Sequence, residues 1–197
     1  MEYDKEKKLI KSGRTLNDLD KFVLKIIRVL EKHTEYVLIS GYISILLGRA
    51  RATEGVDFFI KRISLEEFRE LYEELQKEGF WCLNAEKAES IYKYLDDGCS
   101  IRFSKEGIPV PNAEIKFPKK KSDYDAFTDN ITVELKDGRI KISSLERHIA
   151  FKRYYLKSDK DNEDALHVEE LFREKLDFDK VKRLKEEIEN EWERNKQ

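Results

Sequence analysis

YVLISGYISILLGRARATEGVDFFI, residues 36–60, is the stretch from which the rest of the chain can be interpreted. It contains two apolar runs, residues 36–39 and 56–60, separated by a Ser40-Gly41 pair, a short amphipathic run and a basic connection. Short apolar runs bounded by glycine and polar residues are typical of buried strands. The stretch therefore predicts a strand, a glycine turn, a short helix, a loop and a second strand.

The second apolar run contains a carboxylate, Asp57. A buried carboxylate stays charged only if a cation, a metal ion or several hydrogen-bond donors accompany it. A later run, residues 113–117, predicts another strand with a second carboxylate, Glu114. Oxygen ligands of this kind suit magnesium, and the free N–H groups of a glycine turn at a helix N-terminus suit phosphates.

A purely structural interpretation explains the same residues. Gly41 would then be an ordinary strand-to-helix turn. Asp57 and Glu114 would form ion pairs with basic side chains nearby, of which the sequence offers Arg49, Arg51 and Lys116. The spacing alone does not decide between the two interpretations.

Position 55 limits any metal site built around Asp57. Side chains alternate along a strand, so residues 55 and 57 share a face, and a partner carboxylate would stand at position 55. The residue there is Gly55. Glu54 is adjacent, but it points to the opposite face if the strand is regular.

The C-terminal part of the chain is helical in pattern, with helices predicted near 144–157, 162–174 and 178–194. Lys152 falls within the apolar stripe of the first of these helices, and a lysine is rarely buried without a partner. Asp161 and Asp164 fall on the apolar side of the next helix. Either these three residues clamp the helices together, or Lys152 reaches a phosphate while the aspartates orient it.

The remaining elements follow from periodicity and turn residues. Capping boxes predict helices after Thr15 (to about His33) and after Ser64 (to Leu75). Asp137-Gly138 between apolar runs predicts a hairpin. Other predicted elements are strands at 80–83 and 100–103, a helix at 85–95, and a loop at 107–111. The predicted organisation is a charged N-terminal segment that frays (1–14), an α/β core with a mixed sheet flanked by helices (15–143), and a C-terminal helical region (144–197).

Composition supports a globular protein with a substantial core. Charged residues make up 41% of the 197, against 40% hydrophobic, and the formal net charge is only −2. An excess of charged residues with little Cys and Met is typical of thermophile proteins. Two cysteines, Cys82 and Cys99, lack a metal-binding spacing and fit a reduced intracellular protein. No membrane span or secretory segment is evident, so we expect a cytoplasmic protein without a membrane partner.

The constellation resembles the nucleotidyltransferase superfamily, which has the DNA polymerase β-like fold. It is most similar to the branch containing type IV toxin–antitoxin nucleotidyltransferases and related archaeal proteins. The resemblance spans about residues 20–175. It lies in LISGYISILLGRARATEGVDFFI, NAEIKF and HIAFKRYYLKSDKDNEDALHVEEL, which correspond to the glycine turn with the acidic strand, the third-carboxylate strand and the C-terminal helices.

The resemblance implies a site for magnesium (or manganese) and a nucleoside triphosphate (NTP). Its catalytic and metal-binding carboxylates would be Asp57 and Glu114. Its nucleotide-binding residues would be Ser40, Gly41, Arg51, Lys152 and Asp161. This chain departs from the family at Tyr42, where the turn usually continues with glycine or serine, and at Gly55, which replaces the first metal-binding carboxylate.

Three functions remain open from the sequence. The first is metal-dependent transfer of a nucleotide from an NTP to an RNA (such as tRNA), a protein or a small molecule, impaired by Gly55. The second is a non-catalytic nucleotide-binding or regulatory protein of the same fold. The third is an interaction module whose helices between 144 and 194 bind a partner. The resemblance adds an antitoxin as a candidate partner, and the basic residues Lys119, Lys120 and Lys121 are a candidate RNA contact.

Overall fold

The computed structural model describes residues 1–194 of the chain, which form nine strands and eight helices. The strands are β1 (Glu2–Asp4), β2 (Leu9–Lys11), β3 (Tyr36–Ile39), β4 (Gly55–Ile60), β5 (Phe80–Cys82), β6 (Ile101–Lys105), β7 (Ile108–Lys116), β8 (Asn130–Leu135) and β9 (Gly138–Ser143). The helices are α1 (Asp18–His33), α2 (Gly41–Leu46), α3 (Leu65–Lys77), α4 (Ala88–Asp96), α5 (Lys121–Thr128), α6 (Leu145–Ala150), α7 (Asp159–Phe172) and α8 (Phe178–Arg194).

The strands form a single mixed sheet in the order β1-β2-β8-β9-β3-β4-β7-β6-β5. The pairs β2/β8, β3/β9 and β4/β7 are parallel, and the remaining neighbours are antiparallel. The predicted fold class, an α/β protein with a mixed sheet flanked by helices, is confirmed. The predicted hairpin is also present, because β8 and β9 pair from Leu135 opposite Gly138.

The centre of the sheet has one fully apolar face. Val56, Phe58 and Ile60 of β4 are buried, and in the parallel register with β7 they alternate with the residues of the opposite face. Ala113 and Ile115 of β7 lie beside them and are equally buried. This face forms part of the main hydrophobic core, which also takes in α1, α3 and α4.

The opposite face of β4 and β7 is the polar face. We use this name for the side that carries Gly55 and Asp57 on β4, and Asn112 and Glu114 on β7. The strand register pairs Gly55 with Asn112 and Asp57 with Glu114. Farther along the strands, a small apolar cluster of Val37, Phe59 and Ala126 connects this side of the sheet to α5.

The C-terminal helices belong to the same hydrophobic core as the sheet. Leu145, Ile149 and Val168 are buried within it, and α7 lies against α2. A π-helical segment, Phe151–Leu156, continues α6, and a 3₁₀ turn, Arg173–Lys175, continues α7. The three predicted helices are therefore present. The predicted region extends to residue 197, and residues 195–197 lie outside the described part of the chain.

The prediction that residues 1–14 fray is wrong. β2 pairs in parallel with β8, and β1 pairs with β2, so this segment extends the sheet. Ile10 is fully buried in the main core, which anchors the segment. Arg14 adds a second anchor, since its guanidinium donates to the carbonyl oxygens of Ile45 and Leu46 at the end of α2. The segment is mostly charged and polar, so its one apolar pair, Leu9-Ile10, was too short to predict a strand.

The predicted loop at 107–111 is mostly strand, since β7 begins at Ile108. The two prolines that suggested a loop, Pro109 and Pro111, precede Asn112, where pairing with β4 starts. On that side β7 is an edge, so a proline without an N–H group costs no hydrogen bond with β4. The Ser104 hydroxyl donates to the carbonyl oxygen of Pro111 and holds the segment in place.

Smaller corrections concern helix ends. The capping box of α1 is formed by Asn17 and Asp20, not by the residues from Thr15 to Asp18. The capping box at Ser64 is confirmed, with Glu67 as its partner. Helix α4 begins three residues later than predicted. Both cysteines are free, and no helix within residues 1–194 is long and apolar enough to cross a membrane.

We predict that Ile10→Ala lowers the free energy of unfolding by about 2–5 kcal/mol, because it removes a fully buried side chain from the core. Ile108→Ala is a matched control, since Ile108 is 52% exposed, and it should cost less than about 1 kcal/mol. Urea unfolding at pH 7 measures both. Equal effects for the two variants would mean that the N-terminal strands are not part of the cooperative fold.

Candidate functional site

The turn between β3 and α2 has an unusual backbone. Ser40 has φ 65° and ψ −148°, a conformation that glycine adopts easily and other residues adopt at a cost of about 1–3 kcal/mol. At Gly41 a side chain would displace Arg51, because a Cβ atom at this position would overlap the Arg51 guanidinium. The Arg51 Nη2 atom donates to the Gly41 carbonyl oxygen at 2.9 Å. The turn is thus held in a strained conformation with a cation against it.

Asp57 and Glu114 lie side by side at the same end of the sheet as this turn. The parallel register of β4 and β7 pairs them directly, and the antiparallel register of β3 and β4 pairs Asp57 with Ile39, next to Ser40. Glu114 contacts Arg102, whose Nε atom lies 3.3 Å from Oε1. The Arg102 side chain is about half exposed, so this ion pair is weak. The two predicted catalytic carboxylates are therefore neighbours on the polar face.

The environment of Asp57 disfavours its ionised form. Burial is the largest effect and raises the pKa of this carboxyl above its ordinary value, and the nearby charge of Glu114 acts in the same direction. Lys116, the Ser40 hydroxyl and the more distant Lys152 oppose the rise without cancelling it. A carboxylate with a raised pKa on a partly covered sheet face is a candidate ligand or acid–base group.

Arg49, Arg51, Lys152, Asp161 and Asp164 form a second group, which we call the lysine–aspartate cluster. Asp164 is completely buried at its centre. Arg51 donates to both of its oxygens, Nε to Oδ1 at 3.0 Å and Nη2 to Oδ2 at 2.9 Å. Lys152 Nζ lies 3.0 Å from Asp164 Oδ2 and 2.6 Å from Asp161 Oδ1, and Arg49 also donates to Asp164.

Hydrogen bonds control the ionisation of Asp164. Burial alone would raise its pKa, but hydrogen bonds from Arg51, Lys152 and Arg49 outweigh burial and lower the pKa to about 2. The carboxylate is therefore charged at every physiological pH. It joins helix α7 to the π-helical segment and to the loop that follows α2.

The lysine–aspartate cluster shows that the ion pairs predicted for Arg49 and Arg51 are wrong. It also contains the predicted clamp between Lys152 and the aspartates of α7. Arg49 and Arg51 pair with Asp164, so they are not the partners of Asp57 and Glu114. Lys152 is only 2% exposed and clamps α7 to the segment after α6, as the structural alternative predicted. Helical spacing also predicts that Leu156 and Leu171 lie on the apolar sides of these two helices, which is wrong, because both side chains are exposed.

The other polar candidates are engaged elsewhere. His148 is buried against the Ser44 hydroxyl (2.9 Å), and burial, together with the charge of Lys152, lowers its pKa to about 3, so it is a neutral core residue. Lys120 pairs with Glu191, and Lys121 pairs with Asp125. Glu54, the residue before Gly55, has an exposed side chain and precedes a regular strand. It therefore does not replace the carboxylate that Gly55 lacks.

The residues present do not build the site for two metal ions. Within residues 1–194, no three His, Cys, Asp or Glu side chains are placed together to hold a metal ion. A pair of neighbouring metal ions needs a carboxylate that bridges them, and Gly55 provides none. Asp57 and Glu114 offer carboxylate oxygens of the type that a single magnesium ion prefers. The chain is therefore suited to one divalent ion at most.

Comparison with known proteins supports the fold. No protein-family model and no curated protein matches the sequence. Among solved structures, the solution structure of the antibiotic-resistance factor ANT(2'')-Ia has a TM-score of 0.56 at 16% identity, over 89% of this chain and 94% of that chain. The crystal structure of ANT(2")-Ia in complex with adenylyl-2"-tobramycin has a TM-score of 0.54 at 14% identity, over 87% and 97%.

A third solved structure points the same way. The antigenic nucleotidyltransferase-like protein from Paracoccidioides brasiliensis has a TM-score of 0.52 at 18% identity, over 77% of this chain and 75% of that chain. At such low identities the likeness shows the fold alone. This chain therefore has a nucleotidyltransferase-type fold. The toxin–antitoxin and archaeal branch stays a prediction.

The sequence interpretation missed two features of the site. The sequence pattern does not single out Asn112, although this residue stands two positions before Glu114 and so shares its strand face. The positive φ of Ser40 was also missed, because serine gives no signal of such a conformation. The pattern of alternating faces could have revealed Asn112, whereas the backbone of Ser40 depends on how α2 is held by Arg14 and Arg51.

We predict that Asp164→Asn lowers the free energy of unfolding by roughly 3–5 kcal/mol at pH 7, since it leaves buried cations without their counter-charge. The pKa of Asp164 is depressed from 3.8 to about 2, so its contribution is complete above the unfolded value and disappears as pH falls through the folded value. The difference from the unmodified chain should therefore shrink between pH 4 and pH 2. Urea unfolding across this range, with exposed Asp137→Asn as control, measures it.

We predict the opposite effect for Asp57→Asn, which should raise the melting temperature at pH 7. The pKa of Asp57 is raised in the folded state, so ionisation opposes folding, and the stability of the unmodified chain falls as pH rises above 3.8. The variant should gain most near neutral pH and little in acid. Calorimetry at pH 4 and pH 7 tests this, and a lower melting temperature for the variant at pH 7 would contradict it.

Proposed function

We propose that this protein binds a nucleoside triphosphate on the polar face and transfers its nucleotide to an acceptor hydroxyl with release of pyrophosphate. Gly55 lowers the rate of this transfer. The observation that carries this proposal is the direct pairing of Asp57 with Glu114, beside the strained Ser40 turn, in a nucleotidyltransferase-type fold. Paired carboxylates next to backbone amides suit the two parts of such a substrate, its metal ion and its phosphates.

The phosphates would bind at the turn of Ser40 and Gly41. Helix α2 has only six residues, so its dipole adds little. Positive charge comes instead from Arg51, which touches the turn, and from Lys152, whose charge acts on Asp57. In this proposal Asp161 positions Lys152, to which it is bonded at 2.6 Å. Lys152 is buried in this structure, so in this proposal it acts on the phosphates through its charge and not by direct contact.

Asp57 and Glu114 would hold a magnesium or manganese ion. Such an ion stabilises negative charge on the phosphate that is attacked and favours ionisation of the acceptor hydroxyl. Asp57 must lose its proton to bind the ion, and because its pKa is raised, this loss needs a higher pH than it does for an ordinary aspartate. Arg102 must give up part of its contact with Glu114.

Gly55 supports a second candidate, a nucleotide-binding protein of the same fold that does not transfer nucleotides. The side chain missing at Gly55 is the one that would complete the carboxylate set on the polar face. A site with two carboxylates can hold an ion and a nucleotide and yet fail to bring the acceptor hydroxyl to the phosphate. Regulation by bound nucleotide would then be its role.

The acceptor is proposed only as a class. Lys120 and Lys121 are paired with acids, and Arg49 is paired with Glu163 and Asp164, which weakens the case for an RNA acceptor such as tRNA. One neighbour in fold was solved with an adenylylated small molecule, adenylyl-2"-tobramycin. A small molecule or a protein is thus the better candidate. A cytoplasmic location and an antitoxin partner remain part of the proposal.

The decisive experiment compares the unmodified chain with Gly55→Asp and Asp57→Ala. A Cβ atom at position 55 would lie 3.1 Å from Glu114 Oε1, so the new side chain fits after a small shift of a flexible carboxylate. Each protein is incubated with labelled ATP, GTP, CTP or UTP and magnesium, with and without total tRNA. We expect weak labelling by the unmodified chain, none by Asp57→Ala, and at least roughly 100-fold more by Gly55→Asp.

Gly13→Asp is the matched control, because Gly13 is exposed with no atom near its missing Cβ. Nucleotide binding is measured in the same samples with a fluorescent NTP. Binding without labelling by the unmodified chain, together with labelling by Gly55→Asp, would favour the non-catalytic candidate. Neither binding nor labelling in any variant would refute both candidates and leave the interaction module.

A further inference from the structure

Asn112 carries a buried polar atom that no interaction yet explains. Its side chain is only 8% exposed, and its Oδ1 atom has no hydrogen-bond partner within residues 1–194. Its Nδ2 atom makes one long contact, 3.5 Å from the carbonyl oxygen of Pro109. An unpaired buried acceptor costs about 1–3 kcal/mol, so such an atom is expected to meet a donor or a cation.

The Oδ1 atom of Asn112 faces the space above Gly55. A Cβ atom built on Gly55 would lie 3.5 Å from Asn112 Oδ1 and 3.1 Å from Glu114 Oε1, so two oxygens flank one point. In the family the side chain at position 55 would fill this space. Glycine has no side chain to fill this space, and the Asn112 oxygen borders it.

The strand register arranges three oxygen-bearing side chains around this space. Gly55 pairs with Asn112, and Asp57 pairs with Glu114, so the four residues form a rectangle on the polar face. Its sides are about 4.8 Å between strands and roughly 6.6 Å along them. Three corners carry an oxygen-bearing side chain and the fourth is glycine.

All the oxygens at these corners are acceptors. Asp57 and Glu114 are carboxylates when ionised, and the free atom of Asn112 is a carbonyl oxygen. A set of acceptors with a net negative charge calls for a cation, and hard divalent cations take carboxylate and amide oxygens together. Arg102 reaches only Oε1 of Glu114, at 3.3 Å, from a half-exposed position.

We propose that Asn112 is a metal ligand of this chain, which with Asp57 and Glu114 binds a single divalent cation in the space that Gly55 leaves. The inference rests on the proposed function for the use of that cation, but metal binding itself is measured without any nucleotide. In this proposal the third ligand is the neutral amide of Asn112, which lies on β7 opposite Gly55. The site would then hold one ion, and its ligands would carry less negative charge than three carboxylates do.

The test uses Mn²⁺ as the probe, followed by titration calorimetry and by electron paramagnetic resonance on the full chain without nucleotide. We expect one ion per chain for the unmodified protein. Asn112→Leu should weaken the affinity at least tenfold, and Asn112→Asp should tighten it at least tenfold, because a charged ligand replaces a neutral one. Asn190→Asp, which adds the same charge on the exposed side of α8, should change nothing.

Melting temperatures separate a ligand from a structural residue. In EDTA, Asn112→Leu should be as stable as the unmodified chain or more stable, since it removes an unpaired buried acceptor. With Mn²⁺ the unmodified chain should gain stability and Asn112→Leu should gain much less. A loss of stability in EDTA would instead indicate a structural role for Asn112 and overturn the proposal.

Other outcomes are equally decisive. Unchanged Mn²⁺ affinity in Asn112→Leu, with loss of binding in Asp57→Asn, would overturn the role of Asn112 and leave the two carboxylates as the site. No Mn²⁺ binding by the unmodified chain at millimolar concentration would overturn the metal site altogether. Nucleotide binding in EDTA and transfer by Gly55→Asp are measured separately, so failure of the proposed function is distinguishable from failure of this inference.

Discussion

The buried carboxylate of Asp164 is the interaction on which this end of the molecule depends. It receives Arg51 at both oxygens, together with Lys152 and Arg49, and thereby joins α7, the π-helical segment and the loop before β4. Arg51 in turn donates to Gly41, so the backbone turn is fixed by the same network. Removing one partner would leave buried charges unpaired, which is far more costly than losing an exposed ion pair.

The polar face differs from this network in being incompletely satisfied. In the lysine–aspartate cluster every carboxylate faces a cation, so the cluster is stable by itself. On the polar face, Asp57 has a raised pKa, Glu114 is paired with the half-exposed Arg102, and the Oδ1 atom of Asn112 has no partner among residues 1–194. The lysine–aspartate cluster also affects the polar face electrostatically, because the charge of Lys152 lowers the pKa of Asp57. A self-sufficient network next to an unsatisfied one is the arrangement expected of a scaffold beside a binding site.

Much of the fold could be predicted from local pattern, because apolar periodicity and capping residues act over a few positions. The stretch 36–60 gave its strand, turn, helix and strand correctly, and Lys152 with its aspartates was found from helical spacing. The larger errors of prediction concern contacts between residues distant in sequence. Residues 1–14 form strands only because β8 accepts them, and the partners of Arg49 and Arg51 lie more than 100 residues away. No local signal encodes such pairings.

Three separate features, two on the polar face and one in the adjoining turn, oppose folding, and their coincidence argues for a ligand there. Ser40 holds a backbone conformation suited to glycine, Asp57 ionises against its surroundings, and Asn112 leaves an acceptor unpaired. Each would be relieved by a simple substitution, to glycine, asparagine or leucine respectively, without harm to the core. Strain and unsatisfied polar groups of this kind concentrate where binding compensates for them. A cation between the strands would neutralise Asp57 and satisfy Asn112 together, whereas selection for stability alone would have removed both.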